Sequence, residues 1–442
     1  QLRFHCPFLN SMAPRMDAGD ILAAPVASGV LNGVSTLCDS KLGRYAVGTA
    51  CIAAAYRFLL TPKQQKTQDH FDNRSSHFKA LRQKHFPPGF PNTWHAVCNA
   101  ADIADGQVKS ISALGTEFVA FRGSDGKAAV LDAFCPHMGA HLGFGGQVVG
   151  NTIQCPFHGW SFDGSGKCQR IPYTTRLSEE MKQGAKIKAY ETRELLGRIF
   201  IWFDAEGRPP QWDLAAGLDL AEAVARKECY LVAMRCGIFH QHCCEMHMNS
   251  ADPFHFNTLH APLPIPGLGR FIKGIHLINT TYGEGEIRGK VEKHQHLTLF
   301  KEKTMGLFLF GKKRWPVPFS ARVAALIDTV VTFEGPNMMH FKLITPLGTI
   351  RQIKTILPIE PFKQQVEMYW YAEKSVTRVI AYVLSLIGKV ALEQDLEVWE
   401  NKLYWKDPVL VDGDGPFQEF FDWYGQFYSA SSGEIGRRPL EW

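Results

Sequence analysis

Two short boxes, Cys135-Pro-His137 and Cys155-Pro-Phe-His158, constrain this chain more than any other feature of its 442 residues. Each box offers one thiolate and one imidazole, and 17 residues separate the first His from the second Cys. Two thiolates on one iron and two imidazoles on the other can hold a [2Fe–2S] cluster. Neutral imidazole in place of anionic thiolate makes such a cluster easier to reduce than an all-Cys one. Zinc also accepts two Cys and two His, but in zinc fingers the Cys lie close together and the His lie close together. Here Cys and His alternate, which favours the cluster. Gly139, Gly143, Gly145, Gly146 and Gly159 surround the boxes and allow loop backbone to approach sulfur and donate N–H groups to it. Cys135, His137, Cys155 and His158 are therefore the candidate cluster ligands. Cys168 lies outside the boxes and reads as an ordinary core or surface Cys, and His141 as a polar loop residue.

A second constellation follows about a hundred residues later, in Asn249-Ser-Ala-Asp252-Pro-Phe-His255-Phe-Asn-Thr-Leu-His260. Five positions apart, His255 and His260 would diverge by about 140° on a regular helix. They converge on one metal only if the helix ends or bulges between them. Two His and one distant carboxylate form the facial triad of non-haem Fe(II) sites, which leaves coordination positions open for O2. The segment Glu393-Gln-Asp395-Leu-Glu397-Val-Trp399 offers that carboxylate. A helix there aims Asp395 inward with Trp399 one turn later, and Glu393 and Glu397 are the alternatives. Asp252 precedes His255 by one turn and shares its face. Asn249 either bonds near the metal or caps the helix. His240, His242 and His247 read as structural.

Composition bounds the rest. With 45% hydrophobic and 21% charged residues, the chain can bury a sizeable core, so disorder is excluded as its main theme. A net charge of +5 is too weak and too spread out for a nucleic-acid partner. Eleven Cys in so long a chain fit a reducing compartment rather than a disulfide scaffold. Residues 1–62 hold a candidate membrane anchor at about 21–60, built from the uncharged run Ile21–Cys38 and the apolar run Tyr45–Leu60. The small residues there also suit an interfacial helix or a targeting segment. The basic residues that follow favour a cytosolic body. Residues 63–86 are polar and read as a linker. The cluster Pro87-Pro-Gly-Phe-Pro-Asn92 then opens a folded part.

From 87 to 206 short strands alternate with Gly- and Asp-rich turns, as at Glu117–Phe121, Ala128–Asp132 and Arg198–Phe203, which predicts an antiparallel β domain. From 207 to 442 strands mix with helices. Strands are expected at Thr329–Phe333, His340–Thr345, Ile350–Leu357 and Gln365–Ala372, and a helix from about Glu373 to Leu403. Ile380–Gly388 reads as part of a buried helix, and aromatic and aliphatic residues between Leu297 and Met339 as candidate pocket lining. No Gly-rich dinucleotide fingerprint follows a strand.

With these motifs the chain resembles the Rieske non-haem iron oxygenases over about residues 86–430. Within them it is most similar to the Neverland-type cholesterol 7-desaturases, with bacterial 3-ketosteroid 9α-hydroxylase oxygenases more distant. The closer likeness is carried by Pro88-Gly-Phe-Pro-Asn-Thr-Trp94, Ala133-Phe-Cys-Pro-His-Met-Gly-Ala140, Gly145-Gly-Gln-Val-Val-Gly150 and Cys155-Pro-Phe-His-Gly-Trp-Ser-Phe162. It extends to Ile171-Pro-Tyr173, Gln394-Asp-Leu-Glu-Val-Trp399 and Trp423-Tyr-Gly-Gln-Phe-Tyr428. Ala140 and Phe157 stand where respiratory Rieske proteins carry a disulfide. Met246-His-Met248 and Pro253-Phe254 depart from the family pattern.

The resemblance implies an α+β chain: an N-terminal antiparallel β Rieske domain, then a helix-grip-like (START-like) catalytic domain with an antiparallel sheet and helices. It implies Asp395 as the third ligand beside His255 and His260, and catalytic roles for Asp252 and Asn249. Asp252 would bridge a cluster His of one subunit and His255 of its own in a head-to-tail homotrimer. The implied reaction desaturates cholesterol at C7–C8 to 7-dehydrocholesterol, a step towards steroid hormones, using O2 and NAD(P)H electrons from a separate reductase or ferredoxin. Hydroxylation of another steroid or hydrophobic ring is the alternative, and a bare Rieske electron carrier or a zinc-stapled module the remoter ones. Membrane association at the endoplasmic reticulum, with a cytosolic catalytic body, completes the expectation.

Overall fold

The computed structural model describes residues 74–435, apart from 105, 175, 177, 262–271, 311–313, 317–319, 406 and 412. Segment 1–62 and its expected anchor lie outside the described residues. Among the described residues no helix is long and apolar enough to cross a membrane.

The stretch 63–86, expected as a linker, ends in helix α1 (Ser76–His85). Ser75 Oγ caps it by accepting from the Phe78 amide at 3.1 Å. The helix is not a free spacer. Arg82 is buried and donates to the carbonyls of His240 and Trp399 at 3.2 and 3.1 Å. Its polar composition hid this, because one arginine and the following Phe86 carry most of the docking.

Eleven strands follow: β1 (Thr93–Asn99), β2 (Val108–Ala113), β3 (Thr116–Arg122), β4 (Ala128–Asp132), β5 (Gln147–Val149), β6 (Thr152–Gln154), β7 (Ser161–Asp163), β8 (Cys168–Arg170), β9 (Ala189–Tyr190), β10 (Thr192–Leu195) and β11 (Arg198–Phe203), with α2 (Glu179–Gly184) between β8 and β9. They form three antiparallel sheets ordered β1-β11-β10, β2-β3-β4-β9 and β5-β6-β7-β8. All six residues of Arg198-Ile-Phe-Ile-Trp-Phe203 are buried, which suits a β-branched and aromatic strand covered on both faces. The third sheet closes on Leu131, Leu142, Ile153 and Phe162, directly beneath Cys135 and Cys155.

The remainder is built on one large antiparallel sheet. Its strands are β12 (Cys229–Phe239), β13 (Ile272–Ile287), β14 (Lys290–Phe310), β15 (Arg314–Pro316), β16 (Asp328–Glu334), β17 (Met338–Thr345), β18 (Gly348–Glu360) and β19 (Lys363–Glu373), in the order β12-β19-β18-β17-β16-β14-β13, with β15 paired to β14. The four expected strands correspond to β16–β19. Helices α3 (Leu218–Ala225), α4 (Cys244–Met248), α5 (Pro253–Thr258), α6 (Ser320–Ala324), α7 (Arg378–Trp399) and α8 (Phe417–Gly425) surround it. The period of two along strands gives the sheet two buried faces. Leu357, Met338, Ile353 and Tyr369 look one way; Leu357 packs with the β1–β11 core and Met338 with Trp94 and Trp202. Ile356, Val366 and Met368 look the other way, onto Leu392 and Trp399 of α7. The long helix gripping one face of the sheet is the α+β architecture expected.

Helix α7 begins five residues later than expected, because β19 runs to Glu373 and Thr377 caps the helix, its hydroxyl accepting from the Ile380 amide. Ile380–Gly388 corrects another expectation. Ala381, Ser385 and Leu386 are buried, but Ile380, Val383 and Ile387 remain exposed, so this stretch of α7 is apolar on both sides rather than enclosed.

Candidate metal centres

The two boxes fold as matching tight loops. In each, the Gly four residues after the Cys returns its N–H to the Cys carbonyl, Gly139 to Cys135 at 2.9 Å and Gly159 to Cys155 at 3.1 Å. Both glycines have positive φ, +70° and +72°, a conformation that favours the residue without a Cβ. The Cys135 amide donates to Ala140 O and the Cys155 amide to Trp160 O, closing each loop. The loops bring Cys135 and Cys155 into contact on a buried floor. Burial, with Cys155 alongside, holds the Cys135 thiol above its ordinary range. Iron, which takes the thiolate, would reverse that. His137 and His158 sit at the outer edge with ring centroids 4.7 Å apart. Thiols on one side and imidazoles on the other fit a two-iron cluster.

Trp160 stacks on His137 at 4.6 Å and 10°, and its indole donates to the Tyr173 hydroxyl at 2.8 Å. That support for a ligand ring was not read from the sequence, although both residues lie in the family-like segments. Met138 and Phe157 project beside the two His, 66% and 61% exposed.

The second centre assembles around α5. Asp252 starts that helix: its Oδ1 accepts from the amides of Phe254 and His255 at 3.0 and 3.1 Å, and Pro253 takes the first position, where no N–H is needed. The helix stops at Thr258. The amides of Leu259 and His260 both turn back to the His255 carbonyl, at 2.6 and 3.4 Å. This widened last turn swings His260 round to meet His255, the break that the five-residue spacing requires.

The tautomers are set by acceptors. His255 Nδ1 lies 2.6 Å from the Asp252 carbonyl oxygen, which can only accept, so Nδ1 carries the hydrogen. His260 Nδ1 faces Gln394 Oε1 at 3.1 Å. Both rings therefore turn Nε2 lone pairs inward. Asp395 completes the group, its Oδ1 3.0 Å from His260 Nε2. One donor atom from each of His255, His260 and Asp395 lies within 4.8 Å of the others, the only such trio among the described residues. His255 Nε2 and Asp395 Oδ1 are buried without a hydrogen bond of their own. Buried polar atoms normally find partners, so two orphaned donors facing one point fit a bound cation. Burial lowers His255. Burial also works against His260, but the Asp395 carboxylate beside it outweighs that and raises the imidazole.

The alternatives separate cleanly. Glu393 is paired with Lys389 at 2.6 Å, and Glu397 is exposed. Asn249 does not cap α5: its Oδ1 accepts from the Trp399 indole at 3.1 Å, tying the turn before Asp252 to the helix that carries Asp395. The Asp252 carboxylate also differs from expectation. Its Oδ2 stands 3.8 Å from His255 Nδ1, and the backbone carbonyl makes the bond instead, because Oδ1 is committed to the helix cap. His242 and His247 are buried in aromatic packing, His242 on Phe86 and His247 on Phe333. Phe300, Val331 and Phe333 cluster with Phe256 of α5 on the side of the trio, whereas Met338 faces the β1–β11 part.

Comparison with known proteins agrees with this geometry. Residues 93–191 match the Rieske [2Fe–2S] domain, and residues 201–428, more than half of the chain, match the 3-ketosteroid 9alpha-hydroxylase C-terminal domain. The chain belongs to the Rieske non-haem iron oxygenases. It is 31% identical to the cholesterol 7-desaturase nvd of Xenopus laevis, over 80% of this chain and 76% of that one. It is 30% identical to cholesterol 7-desaturase nvd 1 of Ciona intestinalis, over 78% and 70%. A probable 3-ketosteroid-9-alpha-monooxygenase oxygenase component from Rhodococcus rhodochrous is 29% identical, over 77% and 81%.

Among solved structures, dicamba monooxygenase bound to dicamba superposes with a TM-score of 0.52 at 15% identity, covering 80% of this chain and all of that one. NdmA of Pseudomonas putida CBB5 with caffeine gives 0.53 at 16%, covering 76% and 90%. Both share the fold over 76–80% of this chain.

Proposed function

We propose that this Rieske oxygenase desaturates cholesterol between C7 and C8, giving 7-dehydrocholesterol. The overall balance is sterol, O2, NAD(P)H and a proton going to diene, two waters and NAD(P)+. The observation that carries the oxygenase chemistry is the convergence of His255, His260 and Asp395 on one point, with two donor atoms left unpaired. Likeness to sterol desaturases along most of both chains supports the substrate. Bound there, iron supplies O2 activation and oxidation of an unactivated C–H bond.

The chain's own residues set the conditions for that chemistry. Asp252 O and Gln394 Oε1 hold the two imidazoles in the liganding tautomer. Phe256, Phe300, Val331 and Phe333 supply an apolar flank that excludes water and suits a fused-ring hydrocarbon. Desaturation rather than hydroxylation at C7 depends on how closely these walls hold C8 against the centre.

Electrons arrive from a separate reductase or ferredoxin, and copies associate head to tail as a trimer at the endoplasmic reticulum membrane. The Asp252 carboxylate supports a bridging role, since its Oδ2 makes no hydrogen bond among the described residues and the side chain is 36% exposed. The testing experiment expresses the full chain in cells that supply a reductase, feeds cholesterol and seeks the conjugated-diene absorption and mass of 7-dehydrocholesterol. Appearance of the diene, and its loss in His255→Ala, is the expected result. No diene from iron-loaded, reducible protein overturns the substrate.

A further inference from the structure

Lys354 is a cation that the chemistry above does not use. It lies on β18, opposite Met339 of β17 and Met368 of β19. Cross-strand partners share a face, and Met339 and Met368 pack with Leu392, Leu396 and Trp399 of α7. Lys354 therefore enters the layer between the sheet and the helix that carries Asp395. It is near enough to the metal trio that its charge acts on both Asp395 and His260.

Among the described residues the ammonium makes no hydrogen bond and no ion pair. Burial works against the charged amine, and the Asp395 carboxylate partly offsets it. The other cation on this face, Arg235, differs: it donates to Ser385 Oγ at 3.3 Å.

An unpartnered cation is a poor way to fill an apolar layer. Methionine, already present on both neighbouring strands, would fill the same length without the desolvation. Asp395 is the nearest counter-charge, but its Oδ1 is directed at the His260 side of the trio. The donors of Lys354 are thus left for a guest. Around it are Met339, Ile356, Met368 and Leu392, so the guest is apolar apart from an acceptor oxygen.

We propose that Lys354 donates a hydrogen bond to the oxygen substituent of the substrate, the 3-hydroxyl if the substrate is cholesterol, and so fixes which carbons face the His255–His260–Asp395 centre. This rests on the sterol reading above and adds a specificity-determining residue to it. A site built to donate to an oxygen discriminates strongly against an analogue that lacks it, because the donor is then left buried and unpaired.

The experiment measures equilibrium binding of cholesterol and of cholest-5-ene, which lacks the 3-hydroxyl, to the iron-loaded full chain and to Lys354→Met and Lys354→Gln. The natural protein should prefer cholesterol. Lys354→Met should weaken cholesterol about ten- to a hundred-fold and leave cholest-5-ene unchanged. Lys354→Gln, a neutral donor, should recover part of the preference and decides the matter if the Met variant fails to fold. The Rieske absorption should be the same throughout, and the Tm of Lys354→Met no lower. Equal weakening of both ligands, or unchanged discrimination in both variants, overturns the role of Lys354 alone. Failure of the natural protein to bind either sterol overturns the sterol reading and this inference with it.

Discussion

Gln394 offers the sharpest test of how the mononuclear centre is held. Its Oε1 accepts from His260 Nδ1 at 3.1 Å in a part-buried setting, and this bond keeps Nε2 free for metal. Gln394→Leu removes the acceptor and keeps most of the volume. A buried N–H left without a partner costs about 1–3 kcal/mol. The ring can avoid that cost only by turning, which takes Nε2 away from His255 and Asp395. Loss of the group that orients a liganding His typically lowers metal affinity about 10–100-fold, or about 1.4–2.7 kcal/mol at the usual conversion, so the two estimates agree. The assay is a chelator titration of iron per chain, with the visible spectrum of the cluster as internal control. Natural protein should retain a third iron beyond the cluster's two at chelator concentrations that strip it from Gln394→Leu. Gln394→Glu should largely restore binding, because a carboxylate also accepts. A Leu variant that holds the third iron as tightly as the natural protein would refute the orienting role.

Three further outcomes follow from the same geometry. Asp395→Ala should leave the cluster colour intact and abolish turnover, since the trio loses its anionic member; retained activity would remove Asp395 from the ligand set. Asp252→Asn keeps an oxygen for the helix cap and the backbone bond to His255, so both metals should remain while electron transfer between centres slows sharply; single-turnover rates equal to those of the natural protein would end the bridging proposal. Stability should fall in mild acid. Fully buried His95 has its folded-state pKa pushed by burial from 6.5 to about 4, so the unfolded chain binds its proton first. Its contribution is complete above pH 6.5 and is lost as pH falls towards 4, about 2 kcal/mol of it by pH 5. Denaturant unfolding at pH 7.5 and pH 5 reads this, and a flat profile would show that His95 does not stay neutral in the folded chain.

What could be read without coordinates divides along a physical line. The cluster boxes, the His255–His260 pair and the need for a helix break between them are local, so ligand chemistry and helix geometry within a dozen residues were enough. The groups that tune these ligands are not local. Gln394 meets His260, and Asn249 meets Trp399, across intervals set by how α7 docks on the sheet. Nothing in the composition around Gln394 distinguishes it from a solvated helix residue. Asp252 misled for a subtler reason: a carboxylate one turn before His255 invites a direct bond, yet one oxygen was claimed by the helix start. The partly exposed apolar face of α7 marks the opposite limit, since a run of Ile, Val and Leu states hydrophobicity but not what covers it.

The β1–β11 strands and the metal trio pack on opposite faces of one sheet. Leu357 and Met338 on its back face pack against the Rieske strands, while Phe300, Val331 and Met339 on its front face pack around α5 and the metal trio. Apolar surfaces alone would let the two bodies slide, but the seam also carries buried polar matches that fit one register only. Arg198 of β11 pairs with Glu367 of β19 and meets the Tyr369 hydroxyl, which in turn reaches Asn99 of β1 at 3.0 Å. Asn337 meets His95 at 3.1 Å nearby. Slipping the seam would strand several of these groups at once, at a cost of several kcal/mol for the buried ion pair alone. A packed sheet with its side chains puts roughly 10 Å between layers, so the sheet stands between the β1–β11 strands and the metal trio. The cluster tip, with His137, His158 and the exposed Met138 and Phe157, is open at the surface instead. A seam this fixed gives the cluster no means of swinging round to the metal trio of its own chain. That is the physical reason the head-to-tail arrangement, in which the tip of one copy meets the Asp252 edge of the next, is the assembly we propose.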